Sequence, residues 1–288
     1  MGRAWDYGRS AQGRPLVCVE VGEGERLVTV TAGIHGLEFI GVEVALAVLA
    51  AGPIDGTRLR VCPVLNPDGY ARTWDSGGDA ALGELRCNAN GVDLNRNFPM
   101  PFGGQPSRTP WSGSSNPAAA TYRGSAPLSE PESRALVALL QEDVPHASAN
   151  LHSFMGSLIC ARVWQWDDWM GYRSLCRSFR SGQRTSRGYF RLGVPVFDVF
   201  TGELEDWQHH VAGTWAVCVE CFSWRESLRQ HLRAPSVFCR FNPAAPAGVI
   251  RRDAGGVRAM LRDSLTQPRP PRRPAGQRVL STWSARSG

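Results

Sequence analysis

A histidine and a glutamate three residues apart, His35 and Glu38, form the most suggestive pair in the chain. Residues 27–31 before them alternate apolar and polar side chains like a strand, and residues 39–51 after them are rich in helix formers. The pair therefore lies at a predicted strand-to-helix corner, where an imidazole nitrogen and a carboxylate can reach one point. With a third ligand from elsewhere, such a pair can hold a tetrahedral zinc ion and leave one position for water.

The use of this pair depends on a later histidine, His152, at the end of a predicted strand over residues 148–152. Taken alone, the spacing of His35 and Glu38 is a weak signal, because a histidine at a helix start more often caps the helix or packs against it. The metal-site interpretation therefore needs support from other parts of the chain.

A loop over residues 86–99 carries the densest polar chemistry, including Arg86, Asn95 and Arg96. No run of acidic residues lies nearby to pair with the two arginines, which favours a bound carboxylate or a developing oxyanion as their partner. The alternative is a surface loop in which the Asn and Asp side chains only hold turns.

Short strands alternate with helices along the chain, which predicts an α/β fold with a mixed, mostly parallel twisted sheet and helices on both faces. The predicted strands cover residues 16–21, 27–31, 58–65, 148–152, 158–162, 194–200 and 215–222. The predicted helices cover residues 39–51, 129–142, 168–181 and 226–232, and residues 66–70 are predicted to form a turn.

The excess of positive charge belongs to the C-terminal end of the chain. Residues 251–288 hold nine arginines and two aspartates, a net charge of +7, which leaves −1 for residues 1–250. We therefore expect one large domain over residues 1–250, a C-terminal helix over 251–265 and a disordered Pro/Arg-rich tail over 266–288. The nearly neutral body argues against a nucleic-acid partner, and a nucleic-acid role of the tail stays as an alternative.

The first residues contain no apolar core of a signal peptide, and no later run approaches about 18 apolar residues, so no membrane partner is expected. Together with the lack of a recognisable pro-segment, this predicts a cytoplasmic protein. The eight cysteines are expected to be buried, reduced thiols, and the pair Cys218 and Cys221 is interpreted as structural.

Several segments, in this order along the chain, resemble the zinc carboxypeptidases of the M14 type. They are His35 with Glu38, residues 66–69, residues 91–98 and residues 151–153, joined by the Tyr122-Arg123-Gly124 and Ser129-Glu130-Pro131-Glu132 motifs. Asp206-Trp207 also precedes Glu220 at the interval that this family uses. The resemblance covers about residues 7 to 225, and the combination is far more specific than any single motif.

The resemblance implies one zinc ion held by His35, Glu38 and His152, with an activated water in the open position. Glu220 is implied as the general base that takes a proton from this water. Arg86 matches the arginine that stabilises the tetrahedral oxyanion.

Asn95 and Arg96 match the pair that binds the terminal carboxylate of a peptide, which restricts cleavage to the last residue. Glu205 matches a position that is acidic in members preferring lysine or arginine ends, and a diaminopimelate end also carries an amino group. The expected partner is therefore a peptide or a murein peptide. The alternative for Glu205 is a solvated acid that does not contact the substrate.

Two positions depart from the pattern of the digestive family members. Leu37 stands where those members carry an arginine, and Asp198 stands at the place of the mobile tyrosine. The sequence looks most similar to the bacterial cytoplasmic murein peptide amidases, which remove diaminopimelate from a γ-D-glutamyl link.

Two further functions fit the same residues. One is an N-acyl amino acid deacylase of the aspartoacylase type, which shares the zinc triad but not the segments at residues 66–69 and 91–98. The other is a peptide-binding protein that keeps the pocket without turnover, which the residues at positions 37 and 198 suggest.

Overall fold

The computed structural model describes residues 2–54, 56–100, 112–163, 165–185, 188–192 and 201–272. Eight strands in this part of the chain form one sheet with the order β1-β2-β4-β3-β5-β8-β6-β7. The strands are β1 (Arg3–Arg9), β2 (Pro15–Val21), β3 (Arg26–Ala32), β4 (Thr57–Cys62), β5 (Ala147–Ser153), β6 (Ser157–Cys160), β7 (Phe190–Leu192) and β8 (Trp215–Cys221). The central run β4-β3-β5-β8 is parallel, and antiparallel pairs lie outside it.

Helices cover both faces of the sheet. They are α1 (Phe39–Ala50), α2 (Pro67–Asp75), α3 (Leu82–Arg86), α4 (Pro131–Glu142), α5 (Trp166–Gly182), α6 (Leu204–Trp207), α7 (Trp224–His231), α8 (Val237–Phe241) and α9 (Pro246–Ser264). A 3₁₀ turn spans Leu94–Arg96, and a π-helical turn spans Gln208–Ala212. Among the described residues, no helix is both long and apolar enough to span a bilayer.

Two apolar layers hold the sheet in place. On one face, α1, α5 and α9 pack against the strands through a large cluster that includes Val44, Phe179 and Leu261. On the other face, α4 and α6 pack through a smaller cluster that includes Leu136 and Trp207. Burial of the sheet on both faces explains why β3 and β5 contain almost no exposed residues.

The predicted fold class is confirmed, and the prediction of a turn over residues 66–70 is wrong. Residues 66–70 do not form an isolated turn, because Pro67 begins helix α2 and the Asn66 side chain accepts a hydrogen bond from the Gly69 amide. Strand β1 was not predicted, and it pairs with β2 at the edge of the sheet. The strand predicted over 194–200 lies outside the described residues.

The C-terminal boundaries also differ from the prediction. The last helix begins at Pro246 instead of residue 251, with proline in its first turn. Residues 266–272 were predicted to be disordered, yet they lie against the domain: the Trp215 indole donates to the Pro268 carbonyl, and Arg269 donates to the Val144 and Pro145 carbonyls. The remaining residues of the predicted tail lie outside the described part of the chain.

Candidate active site

The corner between β3 and α1 carries His35 and Glu38, and both side chains are buried. His35 Nδ1 lies 2.8 Å from Glu38 Oε1. Gly36 between them packs so closely on α2 that a Cβ atom there would overlap the Gly69 carbonyl group. This contact explains why small residues are needed at both positions.

His152 comes to the same point from the neighbouring strand β5, which pairs with β3 in parallel. Its Nδ1 atom lies 3.3 Å from His35 Nδ1 and 3.1 Å from Glu38 Oε2. One ligand atom from each of the three residues falls within 4.8 Å of the others. Ligands of a tetrahedral zinc with bonds of about 2.1 Å lie roughly 3.4 Å apart, so this donor set fits the ion.

The charges at this point perturb the pKa values of Glu38 and His152. Burial acts to raise the pKa of Glu38, but His35 and His152 outweigh it and lower that pKa to about 2. Burial acts to lower the pKa of His152, and Glu38 together with Glu220 raises it to about 9. At neutral pH, His152 is therefore protonated beside the ionised Glu38 carboxylate. A divalent cation that binds here displaces the proton from His152.

Asp93 connects His35 to Arg86 in the loop over residues 86–99. It is not among the site residues predicted from the sequence. Its carboxylate is fully buried and lies 3.1 Å from His35 Nε2 and 2.8 Å from Arg86 Nη2. Burial acts to raise the pKa of Asp93, but Arg86, Arg96 and His35 outweigh it and keep that pKa well below its usual range. The signal that could have identified it is that Asp93 is the single acidic residue of the loop over residues 86–99, which carries two arginines.

Glu220 lies on strand β8, directly opposite His152 in the parallel register. No hydrogen-bond partner reaches its buried Oε2 atom in the described part of the chain. Burial and the neighbouring Glu38 carboxylate raise the pKa of Glu220 to about 7, against the opposing effect of His152 and Arg86. A carboxyl group with this pKa can accept and release a proton near neutral pH.

Asn95 and Arg96 lie in the 3₁₀ turn, on the same cleft as the metal-site residues. Asn95 Oδ1 accepts a hydrogen bond from the Leu204 amide at the start of α6, which fixes the orientation of the amide. Arg96 Nη1 donates to the Asn95 carbonyl and lies 3.8 Å from Glu203 Oε1. Both side chains are thus held in place by the loop and by α6.

Glu205 lies one layer deeper and does not line the cleft itself. Asn150 Nδ2 donates to Glu205 Oε1 and to Gln208 Oε1, both at 2.8 Å. Glu205 Oε2 is buried and accepts no hydrogen bond from any described residue. Its carboxylate, the His152 ring and the Cys218 thiol approach within 4.8 Å of one another.

The cleft has a volume of about 220 Å³ and brings most of the predicted site residues together. Apolar side chains that sequence analysis missed form part of its wall, namely Phe154, Met155 and Phe241. Leu37 is fully buried and does not face the cleft, and Asp198 lies outside the described residues. The residues lining the cleft include His35, Glu38, Arg86, Asn95, Arg96, His152, Cys218 and Glu220.

Comparison with known proteins matches residues 3–223 to the zinc carboxypeptidases of the peptidase M14 family. Carboxypeptidase D of Drosophila melanogaster is 33% identical over 120 residues, which are 35% of this chain and 8% of that protein. Carboxypeptidase SOL1 of Arabidopsis thaliana is 24% identical over 253 residues, which are 76% of this chain and 45% of that protein. The chain thus spans less than half the length of each of these relatives.

Solved structures share the fold. The carboxypeptidase A of Helicoverpa armigera superposes with a TM-score of 0.73 at 18% identity, covering 92% of this chain and 69% of that one. The murein-tripeptide amidase MpaA of Escherichia coli O157 superposes with a TM-score of 0.53 at 24% identity, covering 84% of this chain and 93% of that one. The family match extends over most of the chain, and the chain therefore belongs to the M14 family of zinc carboxypeptidases.

Proposed function

We propose that this protein is a zinc-dependent carboxypeptidase that hydrolyses the amide bond to the C-terminal amino acid of a peptide. One observation carries the proposal: His35, Glu38 and His152 each bring one possible ligand atom to the same point. The cleft at this point is also lined by Glu220, Arg86 and Arg96. Enzymes of the M14 family use zinc, and the donor set fits one zinc ion.

His35, Glu38 and His152 would hold the zinc ion, which would supply a water activated to a pKa of about 7. Glu220 is the proposed general base, because it lines the cleft and has a carboxylate oxygen without a hydrogen bond from the described residues. It takes a proton from the attacking water and passes it to the leaving amine nitrogen.

Arg86 is the proposed donor to the oxyanion of the tetrahedral intermediate. Its Nε and Nη2 atoms are fixed on Asp93 at 2.9 and 2.8 Å, which orients the guanidinium before the substrate binds. A donor held in this way costs no reorganisation when negative charge develops on the carbonyl oxygen.

Asn95 and Arg96 are the proposed binding site for the free α-carboxylate of the substrate. Because Asn95 Oδ1 already accepts from Leu204, its amide nitrogen is the atom left for a carboxylate oxygen. The guanidinium of Arg96 adds a charge-assisted contact. A site of this kind selects a chain end, which accounts for exopeptidase cleavage.

For the substrate class we favour an end residue with an amino or guanidino group, including the diaminopimelate end of a murein peptide. Support comes from Glu205, one layer below the cleft lining, which is fixed through Oε1 by Asn150 and keeps Oε2 without a hydrogen bond from the described residues. A buried carboxylate of this kind gains most from a cationic partner.

The test measures release of free amino acid by mass spectrometry from peptides ending in Lys, Arg or Phe, from γ-D-glutamyl-diaminopimelate peptides and from an acyl-amino acid. We expect release from peptides, loss of release with a chelator and recovery with zinc. Cleavage of the acyl-amino acid alone would identify a deacylase, and bound peptide without release would identify a binding protein.

The variant Glu205→Gln tests the substrate class separately, because glutamine keeps the acceptor for Asn150 and removes only the charge. We expect turnover of Lys-, Arg- and diaminopimelate-ended substrates to fall at least about tenfold more than turnover of the Phe-ended peptide. Equal losses on basic and apolar ends would remove Glu205 from the substrate site and leave the carboxypeptidase proposal standing.

A further inference from the structure

Helix α1 begins at the metal-site corner without a cap of its own. Glu38 occupies the position before the helix, where a side chain usually accepts a hydrogen bond from one of the first free amides. The Glu38 side chain makes no such bond, because its carboxylate faces His35 and His152. The Phe39 and Gly41 amides donate to the nearby Leu37 and Glu38 carbonyls, so it is the Ile40 amide that needs an acceptor from another part of the chain.

This acceptor is Asn242, directly after α8. Its Oδ1 accepts from the Ile40 amide at 2.9 Å, and its Nδ2 donates to the Leu37 carbonyl at 2.8 Å and to the Phe238 carbonyl at 3.0 Å. The Asn242 side chain is buried, so these bonds are shielded from competition by water. Two of them hold the backbone on either side of Glu38.

The segment that carries Asn242 is itself tied to the corner and to the cleft. Phe238 packs edge-to-face on Phe39, the first residue of α1, with ring centroids 5.0 Å apart. Phe241 lines the cleft and packs on Phe154, which follows the β5 strand of His152, at 4.7 Å. This segment lies beyond residue 223, where the match to the family ends.

We propose that Asn242 is a positioning residue for the metal site, and this inference rests on the zinc site proposed above. By fixing the Leu37 carbonyl and the Ile40 amide, Asn242 sets the direction in which the Glu38 carboxylate leaves the backbone. Loss of both bonds lets the first turn of α1 rotate, so that the carboxylate no longer meets the two imidazoles at bonding distance. Zinc then binds more weakly, although all three ligands are present.

The experiment compares Asn242→Ala with the control Ser236→Ala, using the full chain. Ser236 caps α8 by accepting from the Cys239 amide, so its loss weakens the same segment without touching α1. Zinc affinity is measured by competition with a chromophoric chelator, and ligand geometry by the visible absorption of the cobalt-substituted protein. We expect Asn242→Ala to raise the zinc Kd about tenfold or more and to change the cobalt spectrum, while Ser236→Ala changes neither.

The variant Asn242→Asp keeps an acceptor for the Ile40 amide and loses the donor to the Leu37 carbonyl. Its zinc Kd is expected to rise roughly threefold, and this measurement replaces the first one if the alanine variant does not fold. The inference would be overturned if Asn242→Ala, or Asn242→Asp where the alanine variant does not fold, had the same zinc Kd and cobalt spectrum as the unaltered protein. If the unaltered protein binds no stoichiometric zinc, the proposed function fails instead.

Discussion

Replacement of Asp93 by asparagine tests the central charge arrangement of the site. The buried carboxylate uses one oxygen for His35 Nε2 and the Asn95 amide, and the other for two guanidinium nitrogens of Arg86. Asparagine has the same shape but only one oxygen, so an amide group must face either the arginine or the histidine side. The half-buried Arg86 guanidinium then loses its counter-charge.

The magnitude follows from the full burial of the Asp93 carboxylate and the small exposure of the Arg86 side chain, which is 15%. Breaking a buried ion pair by removing one charge costs about 3 to 5 kcal/mol, and the lower end applies because asparagine keeps part of the hydrogen bonding. The carboxylate also orients His35 through Nε2, and loss of such a partner weakens metal affinity by about 10- to 100-fold. We therefore expect a loss of about 3 kcal/mol in the unfolding free energy of the metal-free protein, and a zinc Kd raised by at least about tenfold.

Asp68→Asn is the matched control for this measurement. Asp68 is also a buried carboxylate that accepts several bonds, from Ser10, Gln12 and Arg14, but none of these partners lines the cleft. Chemical denaturation of the metal-free proteins gives the stabilities, and chelator competition gives the zinc affinities. Destabilisation in both variants with an unchanged zinc Kd in Asp93→Asn would refute the reasoning.

Three further changes test the catalytic residues and the packing at the corner. Glu220→Gln is expected to lower kcat at least about 100-fold while zinc still binds. Because a bound cation can only lower the Glu220 pKa of about 7, kcat/KM of the unaltered enzyme should fall with decreasing pH at or below pH 7. The same fall of kcat/KM in the variant would contradict the assignment of Glu220 as the base. Arg96→Lys is expected to raise KM about tenfold with little change in kcat, since lysine cannot bind a carboxylate with two parallel bonds, and a change confined to kcat would exclude a binding role. Gly36→Ala should lower the unfolding free energy, measured by chemical denaturation, by about 1 to 3 kcal/mol through overlap with Gly69. Gly248→Ala in α9 should not lower it, because a Cβ there meets no atom within 4 Å. Equal unfolding free energies of the two variants would show that the corner relaxes around the new methyl group.

The sequence was sufficient for features that depend on neighbouring residues. The corner of His35 and Glu38 was predicted because a strand pattern ends and a helix pattern begins there within a few residues. The helix at Pro67 was mistaken for a turn, because asparagine and proline favour both structures and only the packing of α2 against the corner decides between them.

Contacts between distant segments could not be derived from local patterns. That β3 and β5 are neighbours is a property of the whole sheet, and the resemblance to a family, not periodicity, first connected His152 to the corner. Asn242 gave no signal, because an asparagine before a proline fits any loop and its partner at Ile40 lies far away in the chain. The proline content of the tail predicts disorder, although the Pro268 carbonyl and the Arg269 guanidinium find hydrogen-bond partners on the domain surface.

The register of β5 against β8 has a consequence for how the site tolerates change. His152 and Glu220 are paired across two adjacent central strands, so their backbones stand about 4.8 Å apart, the spacing of neighbouring strands in any sheet. This separation is fixed by main-chain hydrogen bonds, which side-chain replacements other than proline leave in place. The proposed ligand His152 and the proposed base Glu220 therefore keep their distance for as long as the centre of the sheet stays folded, whatever side chains the loops around the cleft carry.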